Sequence, residues 1–174
     1  MVKVMKIKLQ KQDAFIILAF VMMLILFISS SMTYHQQTSV PFLEKYLTGK
    51  PFETFLERFS LDYSGSEISI QAVGYYKFLE FFIRKGAHFG TYFFLGSFLY
   101  LGIKDRMNVK WLAAFLCVFA SLGYAATDEF HQMITGDRTP LFQDVMLDGT
   151  GALCGILLCI LCELIYLRVK RKEN

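Results

Sequence analysis

Long, nearly uncharged apolar blocks separated by polar segments dominate the pattern of this chain. Four of them cover about residues 14–31, 87–103, 111–127 and 145–167. A membrane-spanning helix needs about 17–25 mostly apolar residues, and each block has that length. The pattern therefore predicts an all-α integral membrane protein in which residues 1–174 form one domain, a bundle of four transmembrane helices.

The segment between the first two blocks, residues 32–83, is the one long polar stretch. Apolar residues in its first half recur at roughly helical spacing, but Pro41, Gly49 and Pro51 break that pattern into short pieces. Residues 74–83 are rich in Tyr and Phe, which suits the headgroup region of a bilayer. We predict a partly helical loop and an interfacial helix at 74–83, whose continuity with the second span stays open.

Composition supports the membrane assignment, and the distribution of charge adds an orientation. Hydrophobic residues make up 55% of the chain, above the usual range of about 45–50%. Lys and Arg are concentrated in both tails and in the 104–110 loop, whereas residues 32–83 and 128–144 carry more acids than bases. Because positive loops stay in the cytoplasm, we expect a multi-pass protein of the bacterial cytoplasmic membrane with both termini cytoplasmic.

Charge and cysteine placement exclude several classes of function. The net charge of +3 arises in short tails and a turn, so we expect no nucleic-acid partner. All cysteines lie inside predicted spans, where they act as small packing residues, and we predict neither a disulfide nor a zinc site. They are Cys117, Cys154, Cys159 and Cys162. The first apolar block is predicted to be a retained anchor, with a cleaved signal peptide as the alternative.

Ionisable residues gather in four short fragments near the ends of the second, third and fourth blocks. The fragments contain Arg84, Lys85, His88 and Tyr92; Asp128, Glu129 and Gln132; Arg138; and Asp144 and Asp148. The predicted topology brings all four to the outer membrane face, and the i,i+4 spacings place their members on common helix faces. We predict one outward-facing polar cluster that binds a ligand; the alternative is an ion-pair network that only ties the helix ends together.

Helix dipoles predict which of these charges meet. Arg84 and Lys85 lie at the N-terminus of a predicted helix, and Asp128 and Glu129 lie at the C-terminus of the next. The helix dipole disfavours a cation at an N-terminus and an acid at a C-terminus, each by about 0.3–1 kcal/mol. We therefore expect the cations and acids to pair across helices. The predicted contacts are Arg84 or Lys85 with Asp128 or Glu129. Asp148 lies inside the predicted bilayer edge and needs a partner, which is expected to be Arg84, His88 or Arg138.

Small residues on the fourth span predict close helix packing. Gly151 and Gly155 form a G-x-x-x-G pattern with Ala152 beside it, and such patterns let helix backbones approach. We expect this packing to be within the chain, and the oligomeric state stays open. His131 is expected to be an exposed loop residue.

The ordered fragments resemble the VanZ-like family of small integral membrane proteins. The resemblance covers residues 83–156 and consists of R-K-x-x-H-x-x-x-Y from Arg84, D-E-x-x-Q from Asp128, the later Arg138, and D-x-x-x-D-x-x-G from Asp144.

The chain departs from the family pattern at two positions. Thr91 stands where many relatives have Glu, and Asp137 stands where Gly precedes the arginine. The family's namesake is associated with resistance to teicoplanin, a lipid-tailed glycopeptide that acts outside the bacterial membrane. The resemblance therefore implies a role in the cell envelope and antibiotic resistance, without a defined biochemical activity.

Three functions are compatible with the polar cluster. The first is binding of a lipid-linked envelope intermediate, an anionic lipid or a lipoglycopeptide, with the bilayer as the permanent partner. The second is a membrane-surface hydrolase or transferase that uses the carboxylates and His88, directly or through a divalent metal. The third is a structural subunit of an envelope complex. The chain has no H-E-x-x-H or G-x-S-x-G motif, so we favour binding and expect no cofactor and no metal.

Overall fold

Long helices make up most of the computed structural model, which describes residues 10–135 and 140–173. In chain order its elements are α1 (Lys11–Ser30), α2 (Tyr34–Gln37), α3 (Val40–Tyr46), α4 (Glu53–Leu56), β1 (Ser60–Tyr63), β2 (Ser66–Ser69), α5 (Ile70–Val73), α6 (Tyr75–Ile103), α7 (Lys110–Thr135) and α8 (Phe142–Glu173). Among the described residues, α1, α7 and α8 are long and apolar enough to cross a membrane. Helix α6 has the length, with 29 residues, but its histidine, tyrosines and glycines lower its hydropathy.

Helix α6 is the centre of the bundle and packs most extensively against α8, then against α1 and α7. Glycines on α8 set the closest approach. A Cβ added at Gly151 would lie 2.4 Å from the carbonyl oxygen of Phe89, and one at Gly155 would lie 2.1 Å from that of Phe93. No side chain fits at such distances from a neighbouring backbone, so these two glycines let α6 and α8 touch directly.

Ion pairs join the helices at the end of the bundle that carries residues 104–109, which we call the tail end. Glu163 on α8 pairs with Lys104, at 2.7 Å between Nζ and Oε2, and also with Lys110. Arg106 pairs with Asp13 at the start of α1. The three basic residues of the 104–110 loop therefore have acidic partners on α1 and α8.

The opposite end of the bundle, which we call the loop end, carries residues 31–74. This segment contains four short helices and also a two-stranded antiparallel hairpin, in which Leu61 pairs with Ile68. The all-α prediction was therefore wrong for this part of the loop. Ser64 and Gly65 connect the strands at φ values of 56° and 77°, and a two-residue turn with positive φ at both positions favours a hairpin.

A single continuous helix runs from the loop into the bundle. Residues 75–83, whose status the sequence left open, are the first turns of α6. Tyr75 and Phe78 on this part pack with Ile70 of the loop in a small hydrophobic cluster. This cluster holds the loop against the helix, so the loop covers one side of the polar residues that follow on α6.

Candidate functional site

A cavity of about 510 Å³ lies at the loop end, between the hairpin and α6. We call it the basic cavity, because three cations but, among the described residues, one carboxylate, that of Glu80, contribute to its wall. The cations are Lys77, Arg84 and Lys85, and the aromatic residues are Tyr34, Tyr63 and Phe81. An apolar or aromatic wall with a few convergent charges is the usual form of a ligand site.

One carboxylate fixes the hairpin side of the basic cavity. The ammonium of Lys85 and the hydroxyl of Tyr63 both donate to Oδ1 of Asp144. Lys85 also lies 4.5 Å from the centre of the Tyr63 ring. Burial and the hydrogen bond to Asp144 raise the pKa of the Tyr63 phenol, so this side chain stays protonated and remains a donor. Asp144 thereby links the hairpin, α6 and α8.

A second carboxylate fixes the other side of the cavity. Glu80 is buried and accepts hydrogen bonds from the Tyr34 hydroxyl at 2.8 Å, the Thr38 hydroxyl at 2.8 Å and the Ser39 amide at 2.6 Å. Arg84 is 3.7 Å from the Glu80 carboxylate and lies 4.7 Å from the centre of the Tyr34 ring. Glu80 therefore has its acceptors filled by neutral donors, and Arg84 is held by a ring contact and a long ion pair.

The predicted pairing of Arg84 and Lys85 with Asp128 and Glu129 was wrong. Lys85 pairs with Asp144 on α8, and Arg84 lies near Glu80 on its own helix. The reason is packing. Because glycines bring α8 against α6, Lys85 meets Asp144 of α8 before it reaches the acids of α7.

The two acids of α7 are buried and have donors close by in the chain. Asp128 accepts a hydrogen bond from the Gln132 amide at 3.0 Å, and Glu129 accepts one from the Leu141 backbone amide at 2.7 Å. Both contacts form at the loop end of the bundle. The acids are therefore bonded to neutral donors on or just after α7, and not to the cations that were predicted to pair with them.

Asp148 pairs with His88, which is one of the three partners predicted from the sequence. Its Oδ2 lies 3.3 Å from Nδ1 of His88, one turn along α6 from Arg84. Within the described part of the chain, the other oxygen, Oδ1, has no hydrogen-bond partner, and neither has the hydroxyl of Tyr92. Both atoms are buried. The site therefore contains two polar atoms whose hydrogen bonds are not provided by described protein groups.

Other candidate residues lie elsewhere or behave differently. Arg138 and Asp137 fall outside the described residues. His131 is part of α7, where its ring stacks on Phe27 at 4.7 Å between centroids and its Nδ1 lies 2.8 Å from the Ser30 hydroxyl. The prediction of an exposed loop histidine was wrong, because α7 continues to Thr135 and packs against the end of α1.

Thr91 shows what the departure from the family pattern does locally. Its hydroxyl donates to the backbone carbonyls of Ala87 and His88, each at 2.9 Å. The hydroxyl of a threonine on a helix commonly donates to a backbone carbonyl three or four residues earlier. At the position where the resemblance led us to expect a carboxylate, this chain therefore has a hydroxyl turned toward its own helix.

Several cavity residues were missed in the sequence. They come from the loop or from the first turns of α6, outside the four polar fragments, and they are Tyr34, Tyr63, Lys77 and Glu80. Of these four, only Glu80 could have been predicted from the sequence, because it lies four residues before Arg84 and so shares its helix face. Among residues 10–135 and 140–173, no group of three or more His, Cys, Asp or Glu side chains is arranged to hold a metal ion.

A family model described as VanZ/LLP1 matches residues 15–163 of this chain. The match reaches from the first turns of α1 to Glu163 on α8, so it includes the loop, the basic cavity and both buried acids of α7. It is longer than the 83–156 segment on which the resemblance in the sequence depended. No curated protein and no solved structure matches the chain.

Proposed function

The chain belongs to the VanZ/LLP1 family, and we propose that it binds the phosphate-bearing headgroup of an outer-leaflet lipid or lipid-linked envelope intermediate. In this proposal α6 is the second of four spans in a bacterial cytoplasmic membrane, both termini are cytoplasmic and the loop end faces outside. The excess of Lys and Arg in the two tails and in the 104–110 loop supports this orientation.

The observation that carries the proposal is the basic cavity itself. Arg84 presents a planar fork of donors that suits phosphate or carboxylate, and no described acceptor takes a hydrogen bond from it within normal distance. Lys77 adds an exposed point charge at the same wall. A phosphate that entered would thus meet cations that are only partly neutralised.

The surroundings of the cavity support an amphiphilic ligand. Phe82 and Ile83 follow its wall along α6 and are 44% and 52% exposed, so they offer apolar surface to an acyl chain beside the headgroup. A lipid-tailed glycopeptide carries such a tail. We therefore also propose that the same surface contributes to resistance to teicoplanin-type antibiotics.

Replacing Arg84 with alanine is expected to weaken binding of a fluorescent short-chain phosphatidic acid by at least about tenfold, because a hydrogen bond to a charged group contributes about 1.5–3 kcal/mol. The measurement is a titration of the purified full chain in detergent. Lys77→Ala is expected to weaken binding less. Lys77 is exposed, and no ion pair involving it occurs among the described residues, so this variant should keep its fold even if Arg84→Ala does not.

Lys45→Ala is the matched control, since Lys45 is a cation at the same end of the bundle but lies outside the cavity lining. It should bind as the wild type does. Equal affinity of Lys77→Ala, Arg84→Ala and wild type would refute a headgroup site. Equal weakening by Lys45→Ala would do the same, because it would reduce the effect to general electrostatic attraction. A purely structural polar cluster predicts loss of folded protein at Arg84 and no effect at Lys77.

A further inference from the structure

Arg84 borders two cavities at the loop end of the bundle. One is the basic cavity, of about 510 Å³, which reaches from α6 to the hairpin. The other, of about 400 Å³, lies between α6 and the end of α1, and Met32, Ile83 and Ala87 help to line it. We call it the side groove. Arg84 and Glu80 contribute to the walls of both, so a phosphate held by Arg84 has space for a substituent on each side.

The side groove has the apolar surface that an acyl chain needs. Met32 and Ile83 in its lining are 40% and 52% exposed, and Ala87, one turn further along α6, is exposed as well. Met32 comes directly after α1, a helix long and apolar enough to cross a membrane. The groove therefore lies at the end of a candidate span, and it suits the acyl part of a lipid.

The basic cavity is larger than a phosphate requires. A phosphate has roughly the volume of two or three water molecules of about 30 Å³ each, so most of the 510 Å³ is left for the substituent on the other side of the phosphate. With the acyl part in the side groove, this substituent is the rest of the headgroup. The side chains that line the basic cavity beyond Arg84 therefore determine which headgroup fits.

Two hydroxyls and a cation line this part of the basic cavity. Ser64 in the hairpin turn and Ser66 at the start of β2 contribute to the wall, together with Lys77 of α6. Among the described residues, neither serine hydroxyl has a hydrogen-bond partner and Lys77 has no ion pair. A serine hydroxyl both donates and accepts, and an ammonium donates. These three side chains can therefore donate to and accept from the hydroxyls of a ligand.

The same wall disfavours a headgroup that ends in an ammonium. Lys77 carries a charge of the same sign, and like charges repel. Of the described residues in the lining, Glu80 is the one carboxylate, and it already accepts hydrogen bonds from three neutral donors and lies 3.7 Å from Arg84. An ammonium in this cavity would therefore lie near a cation and compete for an acceptor that is in use.

We propose that the ligand is an anionic phosphodiester lipid whose headgroup ends in a neutral polyol such as glycerol. Its acyl part lies in the side groove, its phosphate contacts Arg84, and its hydroxyls contact Ser64, Ser66 and Lys77. This inference rests on the proposed headgroup site, and it adds the direction in which the ligand lies and the chemical class of its headgroup.

The test compares short-chain phosphatidylglycerol with short-chain phosphatidylethanolamine as ligands of the wild-type chain in detergent. The two lipids have the same phosphodiester and the same acyl chains, so they differ only beyond the phosphate. We expect phosphatidylglycerol to bind at least about tenfold more tightly, because its hydroxyls gain hydrogen bonds and no ammonium is repelled by Lys77. Soluble glycerophosphoglycerol should also compete better than glycerophosphoethanolamine, which assigns the preference to the headgroup. Equal affinities for the two lipids, or tighter binding of phosphatidylethanolamine, would overturn the inference.

The double variant Ser64→Gly/Ser66→Ala separates headgroup recognition from general attraction of an anionic lipid to a basic cavity. It removes both hydroxyls and keeps every charge, and glycine accepts the positive φ of 56° at position 64. The ratio of phosphatidylglycerol to phosphatidylethanolamine affinity should fall at least about fivefold. Ser60→Ala is the matched control, since Ser60 is in the same hairpin, lies outside the lining and donates to Glu67. It should keep the wild-type ratio.

Lys77→Glu gives an independent readout, because it places a carboxylate where the headgroup ends. It should shift the ratio toward phosphatidylethanolamine by at least about fivefold. A wild-type ratio in either the serine double variant or Lys77→Glu would contradict the inference, and so would an equal fall of the ratio in Ser60→Ala. Failure of the wild type to bind phosphatidic acid would instead contradict the proposed function, whereas binding of phosphatidic acid without a preference between the two phosphodiesters contradicts the inference alone.

Discussion

Replacing Gly155 with alanine is expected to destabilise the protein, although alanine is the better helix former. The new methyl group would lie 2.1 Å from the backbone oxygen of Phe93 and 2.5 Å from the Ser97 hydroxyl. A backbone atom cannot rotate away, so α6 and α8 must separate. Overpacking of this kind costs about 1–3 kcal/mol, occasionally more, and Gly155→Leu should prevent accumulation of folded protein altogether. Thermal unfolding of the purified protein in detergent measures the effect.

Gly123 provides a control with the opposite sign. It lies within α7, is exposed and has no atom within 4 Å of an added Cβ. Gly123→Ala should therefore stabilise the protein by about 0.5–1 kcal/mol, the helix-propensity difference. Similar thermal stability of the two alanine variants would show that α6 and α8 do not pack as described.

Reversing the charge of Lys85 is expected to disrupt the loop end, and reversing Asp144 as well is expected to restore it. Lys85→Glu places two carboxylates together where a cation and an acid now meet, with side-chain exposures of 18% and 19%. Loss of a pair at this intermediate depth should cost about 1–3 kcal/mol, between the values for exposed and buried pairs. For a chain of this size, each kcal/mol lowers the melting temperature by about 2–4 °C.

The double variant Lys85→Glu/Asp144→Lys should recover most of that loss, since it rebuilds an ion pair between α6 and α8. Hydrogen exchange of the hairpin should follow the same order, because the Tyr63 hydroxyl is bonded to Asp144. The control is the tail-end pair between Arg106 and Asp13, which is more exposed; its reversal should change stability little. Additive losses in the Lys85/Asp144 double variant would mean that these side chains do not interact.

The long helices were predictable because hydropathy acts over whole turns. Each of the four apolar blocks lies in one of the long helices α1, α6, α7 and α8. The length of α6 was underestimated, because its first turns carry Tyr and Phe instead of aliphatic residues. The hairpin at 60–69 was not predicted, because the apolar residues just before it recur at helical spacing. Its signal was a Ser-Gly turn between short alternating segments, at Ser64 and Gly65, which accept positive φ.

The sequence indicated which polar residues lie near the loop end, but not which of them contact each other. Helix-dipole effects of about 0.3–1 kcal/mol led to the pairing of Lys85 with the acids of α7. Helix packing determines which acid Lys85 contacts. The spacing of Gly151 and Gly155 could have indicated that α8, and with it Asp144, lies closest to α6. The roles of Glu80 and Tyr63 depend on how the loop folds back, which no local pattern encodes.

The central claim is that the basic cavity holds a phosphate-bearing lipid headgroup. Lipids that stay bound through purification test it most directly, when they are extracted from the wild type and from the Lys77→Ala/Arg84→Ala double variant and quantified by mass spectrometry. We expect one phosphate-bearing lipid class in near-stoichiometric amount on the wild type and its loss from the double variant, against an equal background of other lipids in both. The same lipids in the same amounts on both proteins would contradict it.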